Sequence, residues 1–323
     1  MRSPRTLVSI AVVIGVLAFY PFVFSTRLNL GVAMVLFAAL ATAWDILGGW
    51  AGQLSLGHAA LMGIGGYTMA LLSLRGGIAP WWGLIAGMML AAVAAAGWGW
   101  LTFRLRGPYF VLSTIAVAEI LRLIAINWTK FTGGAEGLFI RSLPEILGFD
   151  FFNRTVEFYM ALGWLLLTLL GAWWLSWSKF GYYLQAIRED QDSAMAMGIN
   201  PTRYKILAFM VSAAFTAAGG ALYAIYMSFF EPHIVFDIGV SIELALMAYI
   251  GGAGTVFGPT IGAIVLLWAG DTFRNYFQQA NLLIYGVLII LIVRFAPEGI
   301  VGGWQFLTRR WPRARRVAAQ SAD

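Results

Sequence analysis

The sequence predicts an all-α polytopic membrane protein of about ten transmembrane helices with both termini cytoplasmic. Three observations lead there. Of 323 residues, 60% are hydrophobic and 11% charged, with a mean hydropathy of +0.79, a balance unsuited to a water-facing surface. The apolar residues gather into runs of about 20, the length that crosses a bilayer. Basic residues sit at the ends of those runs, so the net charge of +6 marks membrane topology and does not point to nucleic acid. Ten spans of this length occupy about 200 residues and leave no room for an appended enzyme domain. Cysteine is absent, and histidine occurs only at His58 and His233, which excludes disulfide frameworks and Cys/His metal sites as organising features.

The spans are expected near 7–25, 28–48, 57–74, 81–103, 108–128, 158–177, 205–230, 238–251, 257–270 and 281–296. The first follows Arg2 and Arg5, as a signal peptide would, but it is long for one. It runs into Tyr20-Pro21-Phe22 without a small-residue cleavage site, so it is read as an anchor. Basic residues are retained on the cytoplasmic side. With the N-terminus inside, fourteen fall there, among them Arg104, Arg106, Lys179, Arg188, Arg203, Lys205, Arg294 and the cluster from Arg309 to Arg316. Six fall outside: Arg27, Arg75, Lys130, Arg141, Arg154 and Arg274. The chain thus divides into a transmembrane domain over 1–308 and a basic cytoplasmic tail over 309–323 that anchors the last span against anionic lipid.

Two connections are long, the outer 129–157 and the inner 178–204. Spans eight and nine are short, about 14 residues each, and Gly251-Gly252-Ala253-Gly254 between them predicts a broken or re-entrant segment near 251–259. A matching cluster, Gly48-Gly49-Trp50-Ala51-Gly52, predicts another near 48–58. The pair hints at a duplicated plan, although the charge count puts both clusters on one side.

A phosphate-binding loop needs glycine, lysine and Ser/Thr in succession, whereas the three lysines follow Thr129, Ser178 and Tyr204. Any ATP is therefore bound by another chain. No Ser/His/Asp set or metal-ligand cluster stands at reachable spacing, so no catalytic, cofactor or metal residues are expected. The charges within spans are Asp45, Glu119, Arg122 and Glu243, each of which must face protein or water. Glu119 and Arg122, three apart on one helix, are expected to form a structural ion pair. Asp45 and Glu243 lack a local partner and either line a pathway or make interhelical hydrogen bonds. In the segment from Gly49 to Ala60, Gln53, Ser55, Gly57 and His58 interrupt an apolar background. Glycine permits a sharp reversal there. The polar groups serve either a translocation pathway or gate, or tight helix packing with His58 hydrogen-bonded in place. Gly83 with Gly87, and Gly258 with Gly262, carry the small-xxx-small spacing of helix contacts.

The inner connection reads as a short helix outside the membrane, over about 184–200. Acidic residues Glu189, Asp190 and Asp192 come early, Gly198 suits a left-handed stop, and Asn200-Pro201 forbids continuation. Ser193, Ala194 and Ala196, flanked by Met195 and Met197, form a compact face for another protein's groove. The other reading is an amphipathic helix on the lipid surface.

Here Asp192-Ser193-Ala194, three residues and Gly198 resemble the coupling motif of ABC importer membrane subunits, roughly Glu-Ala-Ala, three residues, Gly. Aspartate and serine depart from that pattern. The fuller resemblance is to the LivM-type permeases of branched-chain amino acid importers. It is carried in order by Ala51 to Ala59, Gly65-Gly66-Tyr67-Thr68, Arg106 to Phe110, Ala118-Glu119-Ile120-Leu121-Arg122, Thr132 to Leu138, Ala186-Ile187-Arg188-Glu189-Asp190 and Gly251 to Thr255, across about 45–300. The resemblance implies a half-pore that pairs with a second, LivH-like permease in the inner membrane. It implies two cytoplasmic ATPases, which hold the ATP and magnesium and dock through Arg188, Glu189, Asp190, Asp192, Ser193, Ala194 and Gly198, and an extracytoplasmic solute-binding protein. Relatives serve branched-chain or other hydrophobic amino acids, amides or urea. The competing class is an ion-coupled secondary transporter working through Asp45, Glu119 and Glu243.

Overall fold

The computed structural model describes residues 4–105, 107–140, 151–276 and 299–301. Among them, helices occupy nine of the ten expected spans. They are α1 (Pro4–Ala18) with its continuation α2 (Tyr20–Val23), α3 (Leu28–Gly48), α4 (His58–Gly76), α5 (Pro80–Thr102) and α6 (Pro108–Asn127), followed by the single turn α7 (Thr129–Thr132). Next come α8 (Arg154–Trp177), then α9 (Lys179–Glu189) and α10 (Gln191–Ala196) in the inner connection, and α11 (Pro201–Met227). The short α12 (Pro232–Val235), α13 (Ile238–Gly251) and α14 (Gly258–Tyr276) complete the order. The expected tenth span at 281–296, the tail at 309–323, Arg106, Arg141 and Arg294 lie outside the described residues.

Among the described residues, seven stretches are long and apolar enough to cross a membrane: Thr6–Val23, Ser25–Gly48, Pro80–Thr102, Pro108–Asn127, Arg154–Trp177, Pro201–Met227 and Pro232–Gly251. Helices α4 and α14 have the length but are diluted, α4 by His58, Thr68, Arg75 and its glycines, α14 by Asp271, Thr272, Arg274 and Asn275. In α4 the reason is packing, since most of its residues are buried against other helices and need not satisfy lipid. Boundaries also move. The sixth span begins at Arg154 rather than 158 and the seventh at Pro201 rather than 205, because Asn153 and Asn200 cap the backbone N–H groups of Thr155 and Arg203. The ninth is 19 residues, not 14.

The centre is built from α3, α4 and α11. Helix α11 spans 27 residues and is buried almost continuously from Ser212 to Ile225. Glycines allow backbone contact at its crossing with α4: a Cβ on Gly65 would stand 2.0 Å from the Ala217 carbonyl oxygen, and one on Gly220 2.0 Å from that of Met62. Gly87 of α5 packs in turn on the Gly65 backbone, and Gly262 of α14 on the Met247 carbonyl of α13. Both small-xxx-small pairs are therefore helix contacts.

Connections assigned to the same side by charge meet at the same end of the bundle. At one end Tyr226 donates to Asn29 O at 3.2 Å, Arg154 to Tyr226 O at 2.9 Å, and a two-residue antiparallel ladder joins β1 (Leu138–Phe139) to β2 (Phe229–Phe230). At the other, α9 lies against both glycine-rich turns.

Candidate functional site: a junction of two glycine turns and the inner helices

The chain between α3 and α4 is non-helical backbone within a membrane protein, which is stable only where its polar groups find partners inside the protein. They do. Trp44 Nε1 donates to Ser55 O at 2.8 Å, Gln53 N to Leu47 O at 3.2 Å and Leu56 N to Thr114 Oγ1 at 3.1 Å. Ala59 N donates to Ser241 Oγ at 2.9 Å. His58 is fully buried, with Nδ1 3.2 Å from Ser55 Oγ and Nε2 2.8 Å from Ser212 Oγ. Ser212 gives its single hydrogen to Ala43 O at 2.7 Å, so it accepts from His58, which assigns the ring proton to Nε2. Gly57 sits where a Cβ would be 2.3 Å from the Trp98 ring, and Gly52 takes φ +66°.

The second turn closes onto the first. Asp45, 1% exposed in the last turn of α3, accepts from Gly254 N with both oxygens at 2.9 and 3.0 Å. Arg188 of α9 reaches the same place, and its Nη1 donates to Gly49 O at 2.7 Å. A Cβ on Gly254, whose φ is +76°, would stand 2.4 Å from Arg188 Nη1, and one on Gly52 2.8 Å from Arg188 Cγ. Three segments far apart in sequence, 45–52, 252–254 and Arg188, thus share one contact.

The inner connection differs from the single helix expected over 184–200. Helix α9 starts at Lys179, capped by Ser178, and breaks at Asp190. Asp190 instead caps α10, with Oδ1 accepting from Ser193 N at 2.5 Å, and this bond holds its carboxyl below the usual aspartate range. Gly198 takes φ +84°, the left-handed stop, and Ile199 N closes onto Ala194 O at 3.1 Å. The expected compact face is also corrected. Ala194 is buried and faces inward, while Glu189, Asp192, Ser193, Met195, Ala196 and Met197 are exposed.

Asp45, Ser55, Gly57 and His58 lie together, buried, and Gln53 is half-buried beside them. Glu243 stands apart, half-buried midway along α13. Glu119 and Arg122 pair through Nε and Nη2 at 2.8 and 2.5 Å, and Arg122 Nη1 also donates to His233 Nδ1 at 3.2 Å. The partners missed in the sequence are Thr114, Ser212, Ser241, Gly254 and His233. The first three had a faint signal, a hydroxyl within an apolar span, which in lipid needs a partner.

Residues 26–293 match the family model described as "Branched-chain amino acid transport system / permease component". The chain is 29% identical over 309 residues to the high-affinity branched-chain amino acid transport system permease protein LivM of Escherichia coli K12, and 28% over 306 residues to LivM of Salmonella typhimurium. Each alignment covers 87% of this chain and 72% of the relative. Permease protein LivH of Escherichia coli K12 is 26% identical over 286 residues, covering 82% of this chain and 91% of the relative. No solved structure matches.

Proposed function

The chain belongs to the branched-chain amino acid transport system permease family, and on that premise we propose that it is one membrane half of an ATP-driven importer of branched-chain or other hydrophobic amino acids. Similarity to both LivM and LivH supports a permease pair, with this chain in the LivM place. Two cytoplasmic ATPases bind ATP and magnesium and dock on the exposed side of α9 and α10. An extracytoplasmic binding protein delivers solute to the opposite end. The termini and the 309–323 tail face the cytoplasm.

The observation that carries this reading is the three-way contact of Arg188 with Gly49 and Gly254. It ties the helix available to an ATPase to the ends of α3 and α13. When the ATPases close, α9 and α10 move, and the junction conveys that motion to two helices that bound the membrane interior. Asp45 holds the two turns together, while Ser55, Gly57 and His58 fix the 49–57 segment as a rigid body and Gln53 sits at its edge. These residues gate by position. Asp45, Ser55, Gly57 and His58 are buried with partners inside the chain, which favours the gating half of the pathway-or-gate reading. An ion-coupled carrier would need its carboxylates in communication. Here Asp45 is bound to Gly254 N, Glu119 to Arg122, and Glu243 lies on another helix.

The test is uptake of labelled leucine and labelled urea in cells with and without this chain, with ATP maintained and the proton gradient collapsed. Leucine uptake that requires the chain and ignores the gradient is the expected result. Urea alone would change the solute, and loss of all uptake with the gradient would refute the ATP-driven reading.

A further inference from the structure

Helix α6 exposes charge where lipid cannot solvate it. Glu119 is the twelfth of its 20 residues, about 17 Å from the start at 1.5 Å per residue and hence near mid-membrane. The side chains of Glu119 and Arg122 are 47% and 25% exposed on the surface of this chain. An ion pair open to hydrocarbon at that depth is strongly disfavoured, so the face looks onto water or another protein. It borders a cleft of about 340 Å³ between α6 and the 233–238 segment that leads into α13, within the roughly 300–1,000 Å³ range of small-molecule sites.

The cleft holds both signs of charge beside apolar walls. Arg122 has five N–H donors, of which three bond to Glu119 and His233, leaving two without a partner among the described residues. His233 Nδ1 lies 3.2 Å from Arg122 Nη1 and holds the guanidinium at the mouth of the cleft. Glu119 and Asp237 supply carboxylates, and Asp237 uses Oδ1 to cap Gly239 N at 3.2 Å. Leu56, Ile115 and Phe236 supply the apolar surface. Leu56 belongs to the 49–57 segment, so the cleft is continuous with the junction described above.

We propose that this cleft is a transient binding site for the zwitterionic head of the transported amino acid, on the face shared with the second permease. Arg122 binds the α-carboxylate, Glu119 and Asp237 bind the α-ammonium, and Leu56, Ile115 and Phe236 receive an apolar side chain. The assignment rests on the amino-acid import reading. It goes beyond that reading by naming the residues and the part of the solute they recognise.

The test uses the assembled transporter in proteoliposomes, with both permeases, the ATPases and loaded binding protein, and measures labelled leucine uptake per complex against the yield of co-purified complex. Arg122→Gln should lower uptake per complex at least about tenfold, the loss of a charge-assisted hydrogen bond. Arg122→Lys, which keeps the charge, should recover most of it. Wild-type uptake by Arg122→Gln, or loss only in proportion to lost assembly, overturns the site and leaves the importer reading standing. If Arg122→Gln yields no complex, Asp237→Asn decides, because asparagine keeps the cap on Gly239. A several-fold fall per complex supports the site, and unchanged uptake overturns it. A wild-type complex that moves no α-amino acid refutes the import reading, and the ligand assignment with it.

Discussion

The contact among Arg188, Gly49 and Gly254 is best tested by a double-mutant cycle. Arg188→Ala removes one charge-assisted hydrogen bond, Nη1 to Gly49 O at 2.7 Å. Such bonds contribute about 1.5–3 kcal/mol, and the low end applies because Arg188 is exposed. Gly254→Ala costs about 1–2 kcal/mol for placing a Cβ in the left-handed region. Its methyl also lands 2.4 Å from the guanidinium, so it displaces the same hydrogen bond. Without Arg188 that collision vanishes. The double variant should therefore cost less than the sum of the singles by about 1.5 kcal/mol, roughly tenfold. The assay is leucine transported per ATP hydrolysed in the reconstituted complex, with thermal stability of the isolated permease pair as a second readout. Costs additive within about 0.5 kcal/mol would refute the shared contact.

Three further outcomes follow from the packing. Gly220→Ala should abolish correct folding, because its methyl meets the Met62 carbonyl at 2.0 Å, whereas Gly97→Ala, with open space around it, should be silent; protease resistance of the inserted chain separates them. Asp45→Ala removes the acceptor of the half-buried Gly254 N–H at a cost near the low end of about 1–3 kcal/mol, read as a fall in Tm, while Asp45→Asn, which keeps an acceptor, should fall less. Asp190 is depressed in the folded chain by its bond to Ser193 N. The cap therefore stabilises above aspartate's ordinary value of about 3.9, and that contribution is lost as pH falls below it through the lowered folded value. A fall in the hydrogen-exchange protection of α10, relative to the intrinsic rate at each pH, below about pH 4 and absent in Asp190→Asn, would show it.

Periodicity and charge placement carried the span pattern, because a helix in lipid must be apolar over a fixed length and its basic flanks stay on one side. They placed α13 at 238–251 and made Gly198 the stop after α10. They misjudged α9 and α10, where Asp190 is a capping residue inside the segment and not an early acid of one helix. Nothing local separates an aspartate that caps the next turn from one on a helix surface. Asp45 was legible as a problem, a carboxyl in a span with no neighbour to satisfy it. Its solution, Gly254 N, is 209 residues away and contributes only a backbone N–H, which leaves no trace in residue type. The Glu119–Arg122 pair follows from spacing alone, but its exposure onto a cleft with His233 depends on how α6 is turned against its neighbours.

The same geometry decides which parts move together. A displaced α9 either breaks Arg188 from Gly49 or carries the ends of α3 and α13 with it. One partly exposed bond of about 1.5 kcal/mol would not hold by itself against a driving motion. The two turns, however, are also joined at Asp45, buried at 1% exposure, and there an unsatisfied Gly254 N–H would cost as much again. Gly49 leaves no room for slippage, since a Cβ on it would stand 1.9 Å from Asp45 Oδ1 and 2.3 Å from Gly254 N. On the coupling reading proposed above, the weakest contact between α9 and the two turns is therefore Arg188 itself, with the two turns joined behind it at Asp45. Loss of Arg188 should uncouple hydrolysis from transport while leaving the bundle folded, whereas loss of Asp45 should loosen the bundle first.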